Sequence, residues 1–153
     1  MRSGGGNMKA SLTGSEELKK ALAEFGIEAD KRIKNIVQGT AQNIRTRAIK
    51  SVQRGTKSGT TYEKTNPKRK HKSSAPGEAP ATDTGRLAGS IRADIEGKKA
   101  EVVADTEYAA WLEFGTQNIQ PRPFLIPALE AERPKWEARL NAVVEDAAKG
   151  ILK

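Results

Sequence analysis

Apolar residues along this chain form two helical stripes, separated by a stretch that has almost none. Leu18, Leu22 and Phe25 recur at spacings of four and three, which puts them on one face of an α-helix. Ser15 suits the N-cap, Glu16 and Glu17 suit the first turn, and Gly26 is expected to end the helix. Residues 8–13 ahead of it read as a short edge strand. From Glu28 to about Gln53 the stripe continues through Ala29, Ile33, Val37, Ile44, Ala48 and Val52, with Ile36 and Ala41 alongside. This predicts a second helix of roughly seven turns. Lys31, Lys34, Gln38, Gln42, Arg45 and Lys50 make its other face polar, as suits a helix that crosses a sheet or lines a ring. Gly39 lies mid-helix, where it costs about 1 kcal/mol relative to Ala and permits a bend.

Residues 54–82 are Gly, Ser, Thr, Pro and Lys with little apolar content, and read as one long loop. Structure resumes at "TDTGRLAGSI", where Thr82, Asp83 or Thr84 can cap a short helix holding Leu87. Ile91, Ala93 and Ile95 alternate on one side of a Gly97-Lys98-Lys99 turn, and Ala100, Val102 and Ala104 do so on the other, which predicts an antiparallel hairpin. "YAAWLEFGT", residues 108–116, fits a two-turn helix stopped by Gly115. A last helix is expected from about Leu125, with Pro127 in its first turn, where a missing N–H does no harm, and Pro134 kinking it early. Its apolar stripe runs Leu125, Leu129, Trp136, Leu140, Val143 or Val144, Ala147 and Ile151. The predicted class is α+β: a small antiparallel sheet packed with two long helices, N-terminal and C-terminal, and a long basic loop between them.

At 153 residues there is room for one domain. Residues 8–153 are read as that domain, with its loop at 54–82, and the Gly-rich residues 1–7 as a flexible arm or a cloning remnant. Leu, Ile, Val and Phe make only 28 of the 153 residues, so the core is small and completion by neighbouring copies is expected. The net charge of +8 comes from 27 basic and 19 acidic residues. "KTNPKRKHK", residues 64–72, holds Lys64, Lys68, Arg69, Lys70 and Lys72 and no acid, so most of the excess is local. The absence of cysteine excludes disulfides and thiolate chemistry. No apolar run approaches a membrane span and no hydrophobic signal region opens the chain, so a soluble, intracellular protein without membrane contact is expected.

Catalytic equipment is hard to find. His71 is alone among lysines, where a metal or acid–base role lacks converging partners. Glu113 sits between Leu112 and Phe114, with Asp105 and Glu107 just upstream. These carboxylates could serve as acid and base. They are better read as helix caps (Asp105 to Glu107) and, for Glu113, as the ion-pair partner of Arg122 or of an arginine of another subunit, or as a capping group. No nucleophile elbow, phosphate-binding loop or metalloprotease motif occurs. No enzyme activity, cofactor or metal is expected. The basic loop could touch nucleic acid only through phosphates, since Tyr62 is its one aromatic residue.

Three motifs occur in order: Thr84-Gly85, Leu87 and Ser90-Ile91; then Tyr108-Ala109 and Glu113-Phe114-Gly115-Thr116; then Arg122-Pro123-Phe124-Leu125 with Pro127-Ala128. With the hairpin between the first two, this arrangement resembles the small neck and tail-component proteins of long-tailed, lambda-like phages. The resemblance implies a non-enzymatic virion protein, assembled in the host cytoplasm, that forms a ring at the head–tail junction or the upper end of the tail. It implies a hexamer by analogy with sixfold tails, and partners among the connector, tail terminator and tail tube. For such a ring, Tyr108, Trp111, Glu113, Phe114, Arg122 and Phe124 are the candidate interface residues, with Arg122-Pro123-Phe124 as a stiff arm offering Phe124 to a neighbour. Lys64, Lys68, Arg69, Lys70 and Lys72 are the candidates to face passing genomic DNA. The alternative reading is a non-specific DNA-binding accessory protein that uses residues 64–72.

Overall fold

A computed structural model describes residues 14–151. The expected arm at 1–7 and strand at 8–13 lie outside the described residues, as do the side chains of Ser15, Glu16, Glu17, Leu18, Leu22 and Ile151. The order of elements is α1 (Gly14–Arg54), β1 (Thr61–Thr65), β2 (Lys68–Lys72), α2 (Arg86–Ser90), β3 (Ile91–Glu96), β4 (Lys99–Ala104), α3 (Ala109–Phe114) and α4 (Ile126–Ile151). This is an α+β architecture of two long helices and two antiparallel hairpins.

The two expected N-terminal helices are one. α1 passes through Gly26 and Gly39 without interruption and already includes Ser15. Gly26 is not a stop because a lone glycine only weakens a helix, and here the apolar stripe resumes in phase beyond it. α4 likewise continues through Pro134. The two helices run antiparallel: Gly150 approaches the Phe25 ring, Arg32 pairs with Asp146 at 2.7 Å, and Arg47 pairs with Glu132 at 2.9 Å.

Only the C-terminal third of α1 enters the core. Ile44, Ala48 and Val52 are buried there against Leu87 and Ala88 of α2, Ile91 of β3, Ala109 of α3, and Phe124 and Ala128 at the start of α4. β3 and β4 lie against α1, and Arg45 donates to the Ile91 carbonyl at 2.9 Å. That bond takes Arg45 off the solvent face expected for it. The hairpin register pairs Ile91 with Ala104, Ala93 with Val102 and Ile95 with Ala100, the alternation predicted from sequence. On α4, Val143 is buried and Val144 is exposed.

The expected loop at 54–82 contains a hairpin instead. β1 and β2 pair from Thr61–Lys72 to Thr65–Lys68, with Asn66 and Pro67 at the turn. Charged alternation disguised it, because neither face is apolar and periodicity has nothing to report. Polar contacts hold the hairpin base. Lys57 Nζ donates to the carbonyls of Ser51, Ala79 and Pro80 at 3.3, 2.7 and 2.9 Å. The Glu78 carboxylate accepts from Ser58 N and Ala75 N, each at 2.9 Å, and from the Ser58 hydroxyl. Gly59 must lack a side chain, since a Cβ would lie 2.5 Å from Ser73 Oγ.

Bonds from the Ser58 hydroxyl and the two amides pull the Glu78 pKa from 4.5 to about 2. A depressed carboxylate pKa stabilises the fold above the unfolded value, and the stabilisation is lost as pH falls through the folded one. The hairpin base should therefore stay protected above about pH 4.5 and loosen progressively toward pH 2. Hydrogen exchange across residues 55–60 and 73–80 will measure this, and Glu78→Gln should reduce the pH dependence there while leaving exchange in α4 unchanged.

Candidate functional site

α3 has a sharp division of faces. Tyr108 and Leu112 are half-buried against the core, Ala109 is buried, and Trp111 and Phe114 remain 54% and 70% exposed. A large aromatic pair is thus left outside a small core. Gly115 ends the helix at φ 76°, donating to the Trp111 carbonyl at 2.9 Å, and a Cβ there would strike Ile119 O at 2.7 Å. Thr116 closes the following turn: its amide donates to Ile119 O at 2.8 Å, and its hydroxyl accepts from Asn118 N and Ile119 N. The aromatic edge is thus held at its C-terminal side.

Glu113 is the reason α3 has a fixed orientation. Its carboxylate is buried and accepts three amides: Phe124 N at 2.9 Å and Leu125 N at 3.0 Å on Oε2, and Ile126 N at 2.8 Å on Oε1. These are the unpaired donors at the start of α4, where the helix dipole also favours negative charge. The expected ion pair with Arg122 does not form. Arg122 donates instead to the carbonyls of Ser74 at 3.4 Å and Gln120 at 3.3 Å, while its own amide donates to Leu112 O at 2.6 Å.

The interface expected of Glu113 and Phe124 is corrected by their burial. Phe124 is 2% exposed within a single chain and is a central core residue, not the tip of an arm. Its backbone amide is drawn in by Glu113, which turns the ring inward. Asp105 does not cap α3 either, since it pairs with Arg92 at 2.5 Å, and no side chain caps that helix.

Asp83 is not a helix cap. Gly85, in the left-handed conformation at φ 78°, occupies the N-cap of α2. Asp83 binds Lys64 and Arg69, with His71 Nδ1 at 3.8 Å. Contacts to the lysine, the arginine and the histidine together hold its carboxyl below the usual carboxylate range, the Lys64 hydrogen bond being the largest contribution. Tyr62, Lys64, Arg69 and His71 share this face of the hairpin by strand alternation and register. Lys68, Lys70 and Lys72 share the other, where Lys70 stands opposite Glu63. Those three lysines are exposed and have no acidic salt-bridge partner within 4 Å among the described residues. The charge of the basic segment is therefore divided between a face partly offset by Asp83 and an outward one.

A groove of about 620 Å³ went unread in the sequence. It opens between α1, β4 and the first half of α4, lined by apolar residues that include Val37, Ile44, Val102, Leu129 and Trp136. Each belongs to a stripe assigned to the core, so only the incomplete closure of the three elements exposes it. Among the described residues no group of three or more His, Cys, Asp or Glu could hold a metal, and no helix is long and apolar enough to cross a membrane.

The family model described as "Bacteriophage HK97-gp10, putative tail-component" matches residues 16–115. The chain belongs to this phage tail-component family. The match spans nearly two thirds of the chain, from the first turns of α1 through the aromatic edge to Gly115. The Arg122–Ala128 motif and α4 lie beyond it. No curated protein and no solved structure gives a significant match to the chain. As a tail component the chain is a phage structural protein, a class whose work is contact with other virion proteins.

Glu113→Ala in this tail component leaves three amides at the α4 start without their buried acceptor. The loss should be about 1–3 kcal/mol. Glu113→Gln, which keeps one acceptor oxygen, should lose less. Urea denaturation of the two variants beside the wild type checks the order.

Proposed function

We propose that this tail component forms a homo-oligomeric ring at the phage head–tail junction or the upper end of the tail. The observation that carries the reading is the pair Trp111 and Phe114, exposed on a short helix that a buried carboxylate locks in place. Rigid aromatic anchors bind with little loss of conformational freedom and are enriched at interface hot spots. Apolar content is low for a chain of this length, which favours burial between copies. Sixfold symmetry, and a place among connector, terminator and tube, follow by analogy with tails of this type. Tyr108 and Arg122 are half-buried beside the edge and would support it from behind.

The test is native mass spectrometry with analytical ultracentrifugation at high micromolar concentration. The wild type should assemble into one closed species. Trp111→Ala or Phe114→Ala should each weaken it by roughly 2 kcal/mol or more, about thirty-fold in affinity, with circular dichroism unchanged because both side chains are on the surface. A wild-type chain that stays monomeric and binds no tail protein overturns the ring.

A second reading has its own observation. Lys68, Lys70 and Lys72 line the outward face of β2, as a backbone-only contact with passing DNA requires. Replacing all three by Ala should reduce the slope of log affinity for duplex DNA against log salt by roughly three. An unchanged slope removes the outward face of the hairpin from any DNA contact.

A further inference from the structure

We infer that the cleft between the C-terminal turns of α1 and the first half of α4 binds the phosphodiester backbone of a nucleic acid. The inference shares its ligand with the DNA reading above but uses a different surface, since none of Lys68, Lys70 and Lys72 lines this cleft. Either can fail alone.

The cleft, of about 630 Å³, is lined by Arg47, Lys50 and Arg54 of α1 and by Lys135 of α4, against the single acid Glu132. Four cations face one carboxylate, which leaves an excess of three positive charges. Glu132 accepts from Arg47 at 2.9 Å and from Lys135 at 2.8 Å, whereas Lys50 and Arg54 make no salt bridge within 4 Å among the described residues. The rest of the lining is Asn43, Thr46, Ser51 and Gly55, so no apolar residue faces the cleft. Contacts with another protein are built around aromatic and apolar anchors. A cationic surface with amide and hydroxyl groups and without such anchors suits phosphate oxygens instead.

Spacing and rigidity fit a repeating anion. Arg47, Lys50 and Arg54 follow one another at steps of three and four, which places them on one face of α1. They span about 10 Å of helix, and the phosphates of one strand advance about 3.4 Å each along a duplex axis, so about three fit beside this run. Glu132 is buried and fixes the facing wall. Nε and Nη2 of Arg47 both donate to its Oε1, at 3.2 and 2.9 Å, and Lys135 Nζ donates to the same oxygen at 2.8 Å. The guanidinium is thus held in one orientation, with Nη1 outside the pair. A cation fixed before binding loses little freedom on contact.

Lys50→Ala with Arg54→Ala tests the cleft in the full chain, and because both residues are exposed, circular dichroism should stay unchanged. Fluorescence anisotropy with a short mixed-sequence duplex at several salt concentrations should show the slope of log affinity against log salt reduced by about two. Lys50→Arg with Arg54→Lys should keep the wild-type slope. Lys20→Ala with Arg86→Ala, exposed bases outside the cleft, should change it little. An unchanged slope in the cleft variant, or an equal reduction in the Lys20 and Arg86 control, overturns the inference. Polyglutamate that binds as tightly as the duplex, with the same dependence on Lys50 and Arg54, would make the occupant an acidic polypeptide and overturn it equally. Calorimetry with inorganic phosphate covers the remaining source: saturation by phosphate without any duplex binding would make this a site for a free anion and reject the backbone. The Lys68, Lys70 and Lys72 variant separates the two DNA surfaces. A slope that responds to the cleft variant alone keeps the cleft and removes the hairpin face, and the converse keeps the hairpin and rejects the cleft.

Discussion

The buried carboxylate of Glu113 organises the C-terminal half of this protein. It takes the amides of Phe124, Leu125 and Ile126, donors that a helix cannot satisfy from within. Charge-assisted bonds of this kind offset the cost of removing a carboxylate from water. The geometry has consequences at both ends. α4 starts where those amides are held, Phe124 is turned into the core, and α3 presents the rings of Trp111 and Phe114 to solvent. One ionised group thus connects core packing to surface display.

α1 supplies the surface on which that assembly rests. Ile44, Ala48 and Val52 carry the packing of β3, α2, α3 and the start of α4, while the outer parts of α1 and α4 lie together as a more polar antiparallel pair. Glu132 illustrates how polar groups are used between the helices. It is buried, bonded to Lys135 and Arg47, and those bonds keep its pKa below the ordinary value. Such a pair fixes register more than it adds stability. With so few apolar residues the three layers do not close fully, and the groove beside β4 is the result.

Charge follows the same logic of local neutralisation. The basic segment is a hairpin whose inner face is drawn onto Asp83, leaving Lys68, Lys70 and Lys72 outward. Membership in a phage tail-component family gives these surfaces a setting in which a protein is used for its contacts with other virion proteins. An exposed aromatic edge, an open apolar groove and a basic ribbon on one small chain suit that setting.

Much of the architecture was legible in the amino-acid order. The α+β class, the Ile91–Ala104 hairpin with its alternating faces, the Gly115 stop and the helix entered near Pro127 follow from periodicity and from local backbone preferences, which neighbouring residues express directly. The limits of helices were less legible, since Gly26 and Pro134 weaken a helix locally but tertiary contacts decide whether it continues. The hairpin at 61–72 was invisible because its alternation is of charge against charge. The partners of Glu113, Phe124 and Asp83 were not legible for a common reason. Each is defined by partners 11 or more residues away, and no spacing rule reaches that far. By itself the sequence determined the α+β class, the Ile91–Ala104 hairpin and the apolar stripes of the long helices. The tertiary structure alone decided which carboxylate caps which helix, which aromatic rings stay outside and where the core fails to close, because those depend on how elements meet in space.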